Sequence, residues 1–368
     1  MRDKLNKRRE EGLYRKLSFA DKNCIDFSSN DYLGFVRFKQ FWEPEDTQKY
    51  GSTGSRLLTG NTLEIEETEA FIAGFHNTES GLIFNSGYDA NTGFFSCIAG
   101  KEDTIIYDEQ IHASIKDGAR LSTAKHYSFK HNDIESLEAK IKLSTGRIFI
   151  AIESVYSMDG DLAPLEEIVE LASKYKNIYL IVDEAHATGV LGINGKGLVQ
   201  EYGLEEHIFA RIHTFGKAMG CNGAIIVGSK VLREYLINFS RSFIYTTALP
   251  LPNILAIKRA YQHLTYSNSD TVKLKYLTDY FQSKSLEFAI HGLKTNRSAI
   301  QILFVRGNDN ARNSAKKLQE EGFDIRPVLS PTVPIGSERL RICLHAYNSK
   351  VEIDNLLSVL SRLNTLIN

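Results

Sequence analysis

The residues of this sequence that are best suited to chemistry follow apolar runs typical of buried strands. Asp183 and His186 end the run IYLIVDEAH, and Lys217 follows a second run, IHTFG, later in the chain. Because the carboxyl ends of parallel strands meet at one edge of a sheet, we expect these side chains to lie together. An amine that forms a Schiff base, beside a carboxylate that keeps a pyridine nitrogen protonated, is what pyridoxal phosphate requires. The pattern predicts such a site, although each residue taken alone also suits a structural pair or a solvated loop.

The segment 183–186 reads DEAH, which also matches a box found in helicases, and the sequence itself tests that alternative. A helicase needs a P-loop, GxxxxGK[ST], and each Gly-Lys pair of this chain lacks both the first glycine and the following Ser or Thr. The 44 basic and 45 acidic residues leave a net charge of −1, so bulk charge does not favour nucleic acid. We therefore predict no nucleic-acid partner. The widely spaced cysteines and the incomplete DGD segment predict no metal site.

Three further segments carry groups that a bound cofactor would need. FNSGYDAN ends a strand and opens a helix, so backbone amides near Gly87 and Tyr88 are placed to bind a phosphate. His112 follows the apolar run TIIYD and could stack on the cofactor ring, while Ser157 follows RIFIAIESVY and could donate to a phenolic oxygen. An ordinary helix cap and a structural histidine remain open alternatives at this point.

Elements that would position these residues are visible in the hydrophobic pattern. Amphipathic helices are predicted over residues 62–76, 88–99, 111–121, 165–175 and 251–266, and a charged one over 3–17. Apolar strands are predicted over residues 79–85, 103–108, 147–154, 177–185, 209–215 and 223–229. Their alternation predicts an α/β fold with a mostly parallel central sheet covered on both faces.

The pattern changes after about residue 265. Helices are predicted near 270–286, 310–321 and 350–365, with the apolar runs QILFV and RLRICL between them. This arrangement predicts a smaller α+β domain. We divide the chain into an N-terminal segment (1–33), a large cofactor-binding α/β domain (34–265) and a small C-terminal domain (266–368).

Composition limits the class of protein. The 368 residues are 42% hydrophobic and 24% charged, which is typical of a globular chain large enough for two or three domains. No run of about 18 apolar residues is present, so we predict no membrane span. The charged N-terminus lacks the apolar stretch of a secretory signal, and we therefore expect a cytoplasmic protein with reduced thiols.

Several motifs, in order along almost the whole chain, resemble those of the α-oxoamine synthases, which are fold-type-I pyridoxal phosphate transferases. The matching segments are FSSNDYLG (27–34), GSTGSRLLTGN (51–61), SGYDAN (86–91), HASIKDG (112–118), SMDGD (157–161), DEAHATGVLG (183–192), TFGKAMG (214–220) and YTTALP (245–250). Within the family, GSTGSRLLTGN, YTTALP and PTVPIGSERLR most resemble members that join a pimeloyl thioester to L-alanine in biotin synthesis.

The resemblance implies a role for each matched position, with pyridoxal 5′-phosphate as cofactor. Lys217 would carry the Schiff base, Asp183 would pair with the pyridine nitrogen, and His112 would stack over the ring and face the substrate. His186 and Ser157 would contact the phenolic oxygen. The phosphate would be bound by Gly87, Tyr88, Thr214 and the Thr246 or Thr247 of a partner subunit. The substrate would be bound by Arg15, Asn30, Thr332 and Arg341.

The implied reaction is an acyl transfer with loss of CO₂, in which the freed Lys217 amine takes the Cα proton and Arg341 binds the alanine carboxylate. We expect cationic neighbours to lower the pKa of Lys217 for that task. The acyl donor is a thioester of either coenzyme A or a carrier protein. Sister enzymes that join glycine to acetyl-CoA, or serine to a longer acyl chain, remain alternatives.

In this family the segments 51–61 and 245–250 cross a two-fold axis into the neighbouring site. The resemblance therefore implies a homodimer with shared active sites, in which the hydroxyls of both segments and Arg56 would face a phosphate or thioester.

Overall fold

A computed structural model describes residues 1–17, 19, 21–42 and 50–364. Its α-helices are α1 (Arg2–Glu10), α2 (Leu63–Phe75), α3 (Gly87–Cys97), α4 (Ala113–Leu121), α5 (Ile134–Lys142), α6 (Leu165–Ser173), α7 (Leu198–Glu201), α8 (Lys230–Phe239), α9 (Arg241–Ile244), α10 (Leu251–Tyr266), α11 (Ser269–Phe288), α12 (Asn308–Glu320) and α13 (Lys350–Asn364).

The strands are β1 (Ile25–Asp26), β2 (Ser80–Phe84), β3 (Thr104–Asp108), β4 (Lys125–Phe129), β5 (Ile148–Glu153), β6 (Ile178–Asp183), β7 (Ala210–Thr214), β8 (Ala224–Gly228), β9 (Leu293–Lys294), β10 (Ile300–Phe304), β11 (Phe323–Asp324), β12 (Arg326–Val328) and β13 (Arg339–Cys343).

The larger sheet has the order β2-β8-β7-β6-β5-β3-β4. Strands β7, β6, β5, β3 and β4 run parallel to one another, and β8 pairs antiparallel with both β7 and β2. All six residues of β5 are buried, as expected for a strand whose two faces are covered by helices. The prediction of a mostly parallel α/β sheet is confirmed.

The C-terminal part of the chain forms a smaller antiparallel sheet. Its strand order is β12-β13-β10-β9, and its helices α12 and α13 follow the predicted positions closely. Strand β1 pairs with β11, so the chain near residue 25 lies against the C-terminal part. The exact domain boundaries stay a prediction. The end of the predicted helix 350–365 at residue 365 lies outside the described residues.

Two local predictions differ from the structure. The N-terminal helix ends at Glu10 rather than near residue 17, because Gly12 adopts φ +67° and the short helix buries no side chain. Strand β4 and helix α5 went unrecognised in the sequence. Strand β4 lies at the sheet edge with mostly exposed or half-buried side chains, so its sequence, KHYSF, shows no apolar run.

Within the described ranges, no helix has both the length and the apolar character needed to cross a membrane.

Candidate active site

The carboxyl ends of the central strands bring the predicted chemistry together. Asp183 is the last residue of β6 and pairs in register with Glu153, the last residue of β5. Thr214 ends β7 on the other side of β6, and Lys217 lies in the tight connection that follows it. That connection is closed by backbone hydrogen bonds from Cys221 N–H to the Phe215 carbonyl at 2.8 Å. The short loop therefore holds the lysine at the sheet edge.

Lys217 lies against a histidine rather than in solvent. Its Nζ is 2.8 Å from His186 Nε2. Burial lowers the pKa of the Lys217 amine to about 8, against the opposing negative charges of Asp183 and Glu153. The expected direction is therefore found, but withdrawal from water is the larger cause and the cation Arg341 a smaller one. Burial also holds the pKa of His186 well below its usual range, so this imidazole is neutral.

Asp183 is a buried carboxylate with hydrogen bonds to both of its oxygens. The backbone N–H of Ala185 donates to Oδ1 at 2.9 Å, and Asn91 Nδ2 donates to Oδ2 at 2.9 Å. Asn91 Oδ1 is buried and has no partner among the described residues. Asp183 retains lone pairs that could accept a further hydrogen bond, and a protonated ring nitrogen is a donor of that kind.

The N-terminus of α3 forms the second part of the site. Ser86 caps the helix by accepting a hydrogen bond from Asp89 N–H, and the helix begins at Gly87. A Cβ at Gly87 would lie 3.1 Å from Thr214 Oγ1, so the glycine leaves the space between the helix end and β7 open. Exposed amides at a helix N-terminus are suited to a phosphate. The Tyr88 side chain turns away, and its hydroxyl donates to Asp117 Oδ2 at 2.5 Å.

Arg341 and Asn30 meet on the opposite side of His186. Arg341 Nη2 donates to Asn30 Oδ1 at 3.0 Å, and its Nε donates to the Ser157 carbonyl at 2.8 Å. A further hydrogen bond runs from Nη1 to Cys343 Sγ at 2.9 Å. The guanidinium is thus held firmly by its own chain, and a substrate carboxylate would have to share or displace one of these partners.

A cavity with a volume of about 670 Å³ is open beside these groups. Its walls include Arg15, His112, Ser157 and Thr332, which were predicted from distant parts of the sequence. His112 caps α4, and its Nδ1 lies 2.7 Å from Ser114 Oγ. Burial lowers the pKa of His112, so its ring is neutral and suited to stacking. The cavity has the size of a small-molecule site.

The segments predicted to reach a partner subunit contact each other. Ser55 forms a β-bridge with Thr247, and Asn85 Nδ2 donates to the Thr247 carbonyl at 2.7 Å. Thr246 is half-buried nearby. Arg56 donates to Glu69 Oε1 at 2.7 Å, so its charge is compensated within the chain and the expectation that it faces a phosphate or thioester is not supported.

Three residues of the site were missed in the sequence. Tyr32 joins Arg341 to His186 by hydrogen bonds. Glu153 accepts a hydrogen bond from the His112 backbone N–H at 2.6 Å, and burial, followed by the charge of Asp183, raises its pKa to about 8. Glu153 ends an apolar strand just as Asp183 does, and that position was a usable signal. Tyr32 and Asn91 lie inside matched motifs but have no local feature that indicates their contacts.

These residues fit pyridoxal phosphate. A buried carboxylate with free lone pairs, an open helix N-terminus beside Thr214 and an amine of lowered pKa correspond to its ring nitrogen, phosphate and aldehyde. The correspondence rests on the arrangement of Asp183, Gly87 and Lys217. The roles of the individual side chains stay predictions.

Comparison with known proteins agrees with this geometry. A family model described as aminotransferase class I and II matches residues 22–360. A chain of Emericella nidulans named 8-amino-7-oxononanoate synthase is 43% identical, covering 98% of this chain and 94% of its own length. A second chain of that name, from Lysinibacillus sphaericus, is 38% identical with 96% and 95% covered.

Solved structures of similar fold belong to the same group of enzymes. A serine palmitoyltransferase of S. paucimobilis has a TM-score of 0.89 and 25% identity, covering 99% of this chain and 96% of its own. The 8-amino-7-oxononanoate synthase of Francisella tularensis has a TM-score of 0.79 and 28% identity, with 94% and 99% covered. The chain belongs to the class I and II aminotransferase family, and the resemblance to α-oxoamine synthases is confirmed.

Proposed function

We propose that this chain is a pyridoxal phosphate-dependent acyltransferase that condenses L-alanine with a pimeloyl thioester, with loss of CO₂, to give 8-amino-7-oxononanoate for biotin synthesis. The observation that carries the proposal is the lysine at the sheet edge. Lys217 Nζ lies 2.8 Å from a neutral histidine, and the buried Asp183 ends the adjacent strand. The name shared by relatives that align over nearly the whole chain supports the choice of reaction.

Lys217 supplies the amine for the cofactor linkage and moves the proton in the first step. When bound, pyridoxal phosphate supplies an electron sink for charge that develops at the amino acid Cα. The lowered pKa of about 8 leaves a useful fraction of Lys217 Nζ unprotonated near neutral pH. That amine takes the Cα proton of alanine. Asp183, held by Asn91 and Ala185, would keep the proton on the ring nitrogen of the bound cofactor.

The other residues bind and orient the reactants. Gly87, the Tyr88 backbone and Thr214 would hold the phosphate, and Thr246 or Thr247 of a second subunit would complete that contact. His112 would pack on the ring, while His186 and Ser157 would contact its phenolic oxygen. Arg341 and Asn30 bind the alanine carboxylate. Arg15 and Thr332 line the cavity, where the acyl chain enters and water is displaced.

The same proposal includes an assembly and a location. The chain works as a cytoplasmic homodimer whose partner segments 51–61 and 245–250 complete each site. Contacts between the two segments support the shared-site dimer, because they place both segments on one surface. These contacts are the bridge between Ser55 and Thr247 and the hydrogen bond from Ala248 N–H to the Gly54 carbonyl. Size-exclusion chromatography coupled to light scattering checks the dimer.

The function is tested with purified protein, pyridoxal phosphate, L-alanine and a pimeloyl thioester of either coenzyme A or a carrier protein, with the product detected by mass. We expect 8-amino-7-oxononanoate and CO₂ in equal amounts, and a loss of at least about 1,000-fold in rate for Lys217→Ala. Lys101→Ala is the matched control, because Lys101 also follows a glycine but is exposed on a turn. Full activity in Lys217→Ala, or no product from either acyl donor type, would contradict the proposal.

A second candidate is the condensation of L-serine with a longer acyl thioester. The structural likeness to serine palmitoyltransferase favours it. Parallel assays with serine and palmitoyl-CoA decide between the two, because the preferred pair shows the higher kcat/KM.

A further inference from the structure

A continuous chain of hydrogen bonds runs behind the candidate lysine. Tyr32 Oη lies 2.8 Å from His186 Nδ1, and His186 Nε2 lies 2.8 Å from Lys217 Nζ. On its other side, Tyr32 Oη receives a hydrogen bond from Arg341 Nη2 at 3.1 Å and lies 3.1 Å from Asn30 Oδ1. Tyr32 is fully buried, so these protein groups alone satisfy its hydroxyl.

The number of protons in this chain permits two arrangements. A neutral imidazole carries one N–H, on either Nδ1 or Nε2, and a tyrosine hydroxyl donates one hydrogen bond. In the first arrangement the charged Lys217 amine donates to His186 Nε2, His186 Nδ1 donates to Tyr32, and Tyr32 donates to Asn30 Oδ1. In the second, Tyr32 donates to His186 Nδ1, and Nε2 carries the proton.

Moving between the arrangements leaves no buried group unpaired. Arg341 Nη2 donates to Asn30 Oδ1 at 3.0 Å, so this oxygen keeps a partner when Tyr32 turns away from it. The Tyr32 oxygen keeps the hydrogen bond from Arg341 in both cases. Because an unpaired buried donor or acceptor is costly, this double satisfaction makes the two arrangements close in energy.

We propose that Tyr32 is a positioning residue that sets the tautomer of His186, and that its hydroxyl turns from Asn30 to His186 when the Lys217 amine is consumed in the cofactor linkage. Forming that linkage takes one proton from the Lys217 ammonium, which passes to His186 Nε2, and the two remaining amine protons leave with the aldehyde oxygen as water. The Nδ1 proton of His186 is released to solvent as Tyr32 turns to donate to Nδ1. His186 Nε2–H then donates to the phenolic oxygen. This inference rests on the proposed function for the presence of that oxygen.

Several charged and titratable groups surround this chain of hydrogen bonds. Lys217, Arg341 and His112 act on His186. Asp183, Glu153 and Arg341 act on Lys217, and Asp183, Lys217, Asp117 and Lys116 act on His112. Cys343 and Arg341 face Tyr32, and His345 stacks beside it with ring centroids 6.5 Å apart. No carboxylate is hydrogen-bonded to His186 in the described parts of the chain, so the tautomer depends on Tyr32 and Lys217.

The direct test is ¹⁵N NMR of histidine-labelled protein with and without pyridoxal phosphate, with the His186 signals assigned through His186→Gln. We expect the Nδ1–H tautomer without cofactor, at a pH below the Lys217 pKa, and the Nε2–H tautomer with it. The same tautomer in both samples would overturn the proposal, and this measurement needs no substitution at Tyr32.

A second test uses Tyr32→Phe and the pH midpoint of the cofactor's visible absorbance. Without the Tyr32 hydroxyl, His186 is no longer held with its proton on Nε2, and the phenolic oxygen loses its hydrogen-bond donor. The negative charge on that oxygen is then less stabilised, so we expect the pH midpoint to rise by about one unit, which is a tenfold change in the acid dissociation constant. In His186→Gln the glutamine amide N–H donates to the phenolic oxygen whether residue 32 is Tyr or Phe. Adding Tyr32→Phe to that variant should therefore produce no further shift of the pH midpoint.

Tyr261→Phe is the matched control. Tyr261 is also fully buried, and its hydroxyl lies 3.1 Å from a buried histidine, His76 Nε2, outside the site. We expect it to lose stability as Tyr32→Phe does but to keep the wild-type midpoint. An unchanged midpoint in Tyr32→Phe contradicts the inference, whereas visible absorbance that never forms in the wild type contradicts the proposed function instead.

Discussion

A buried and a half-buried histidine of this protein have different charge states. His186 lies between a lysine and a tyrosine, and burial holds its pKa far below the usual range. His131 lies between two carboxylates, with Nδ1 3.0 Å from Asp108 Oδ1 and Nε2 2.7 Å from Asp161 Oδ2. Although burial opposes its charge, hydrogen bonds to both carboxylates raise the pKa of His131 to about 9.

The difference shows how one residue type serves two tasks. The charged His131 joins the end of β3 to the hairpin around Ser157, which begins at the bridge between Val155 and Leu162. The neutral His186 has no carboxylate partner among the described residues, so its proton can move between its two nitrogens. We infer that His131 contributes mainly to stability and His186 mainly to activity, and the following predictions test that separation.

The largest expected effect on stability is that of His131→Leu. Removing the cation leaves Asp108, which is fully buried, and Asp161 without the charge that bridges them, although both keep hydrogen bonds from Asn132. We expect the free energy of unfolding in urea to fall by about 3–5 kcal/mol. His126→Leu is the control, because His126 is exposed on β4, and a similar loss there would contradict the role of the ion pairs.

The two histidines should also give stability an opposite dependence on pH. The pKa of His131 is raised in the folded chain, so its contribution is complete below about pH 6.5 and is lost as the pH rises through about 9. The loss is on the order of 3 kcal/mol. The pKa of His186 is lowered, so its effect appears instead as destabilisation when the pH falls below about 6.5.

Urea denaturation between pH 5 and pH 10 measures both slopes. His131→Leu should flatten the alkaline side of the wild-type curve, and His186→Gln should flatten the acidic side. The assignment is wrong if each substitution changes both sides equally.

For His186→Ala, the main expected effect is on activity. We expect kcat to fall about 100-fold, because the donor to the phenolic oxygen and the partner of Lys217 are both lost. The free energy of unfolding should change by only about 1–2 kcal/mol, since the side chain that is removed is neutral. A stability loss as large as that of His131→Leu, with kcat preserved, would reverse the comparison.

The smallest effect on stability is expected for a solvent-exposed ion pair on helix α12. Lys316 and Glu320 lie one helical turn apart at 3.7 Å, with 76% and 63% of their side chains exposed. Lys316→Ala should change the free energy of unfolding by less than about 0.5 kcal/mol. A loss comparable to that of His131→Leu would mean that charge pairing, rather than burial, accounts for the first prediction.

Much of this protein was determined by local features of the sequence. The alternation of apolar runs and amphipathic helices predicted the parallel sheet, because a strand buried on both faces must be apolar along its length. Asp183 and Lys217 were found because they directly follow such runs, and strand ends of a parallel sheet meet at one edge. Strand β4 was not predicted for the converse reason, since an edge strand needs no apolar run.

Only the tertiary structure decided how the site is held. Tyr32 and Arg341 are 309 positions apart, and His131 is 30 positions from Asp161, yet each pair is joined by hydrogen bonds. No local pattern encodes such contacts, because they arise from the packing of the turn after β1 against β13 and from the approach of one loop to another. The charge of each histidine follows from those neighbours, since burial alone favours the neutral ring and only nearby carboxylates reverse it.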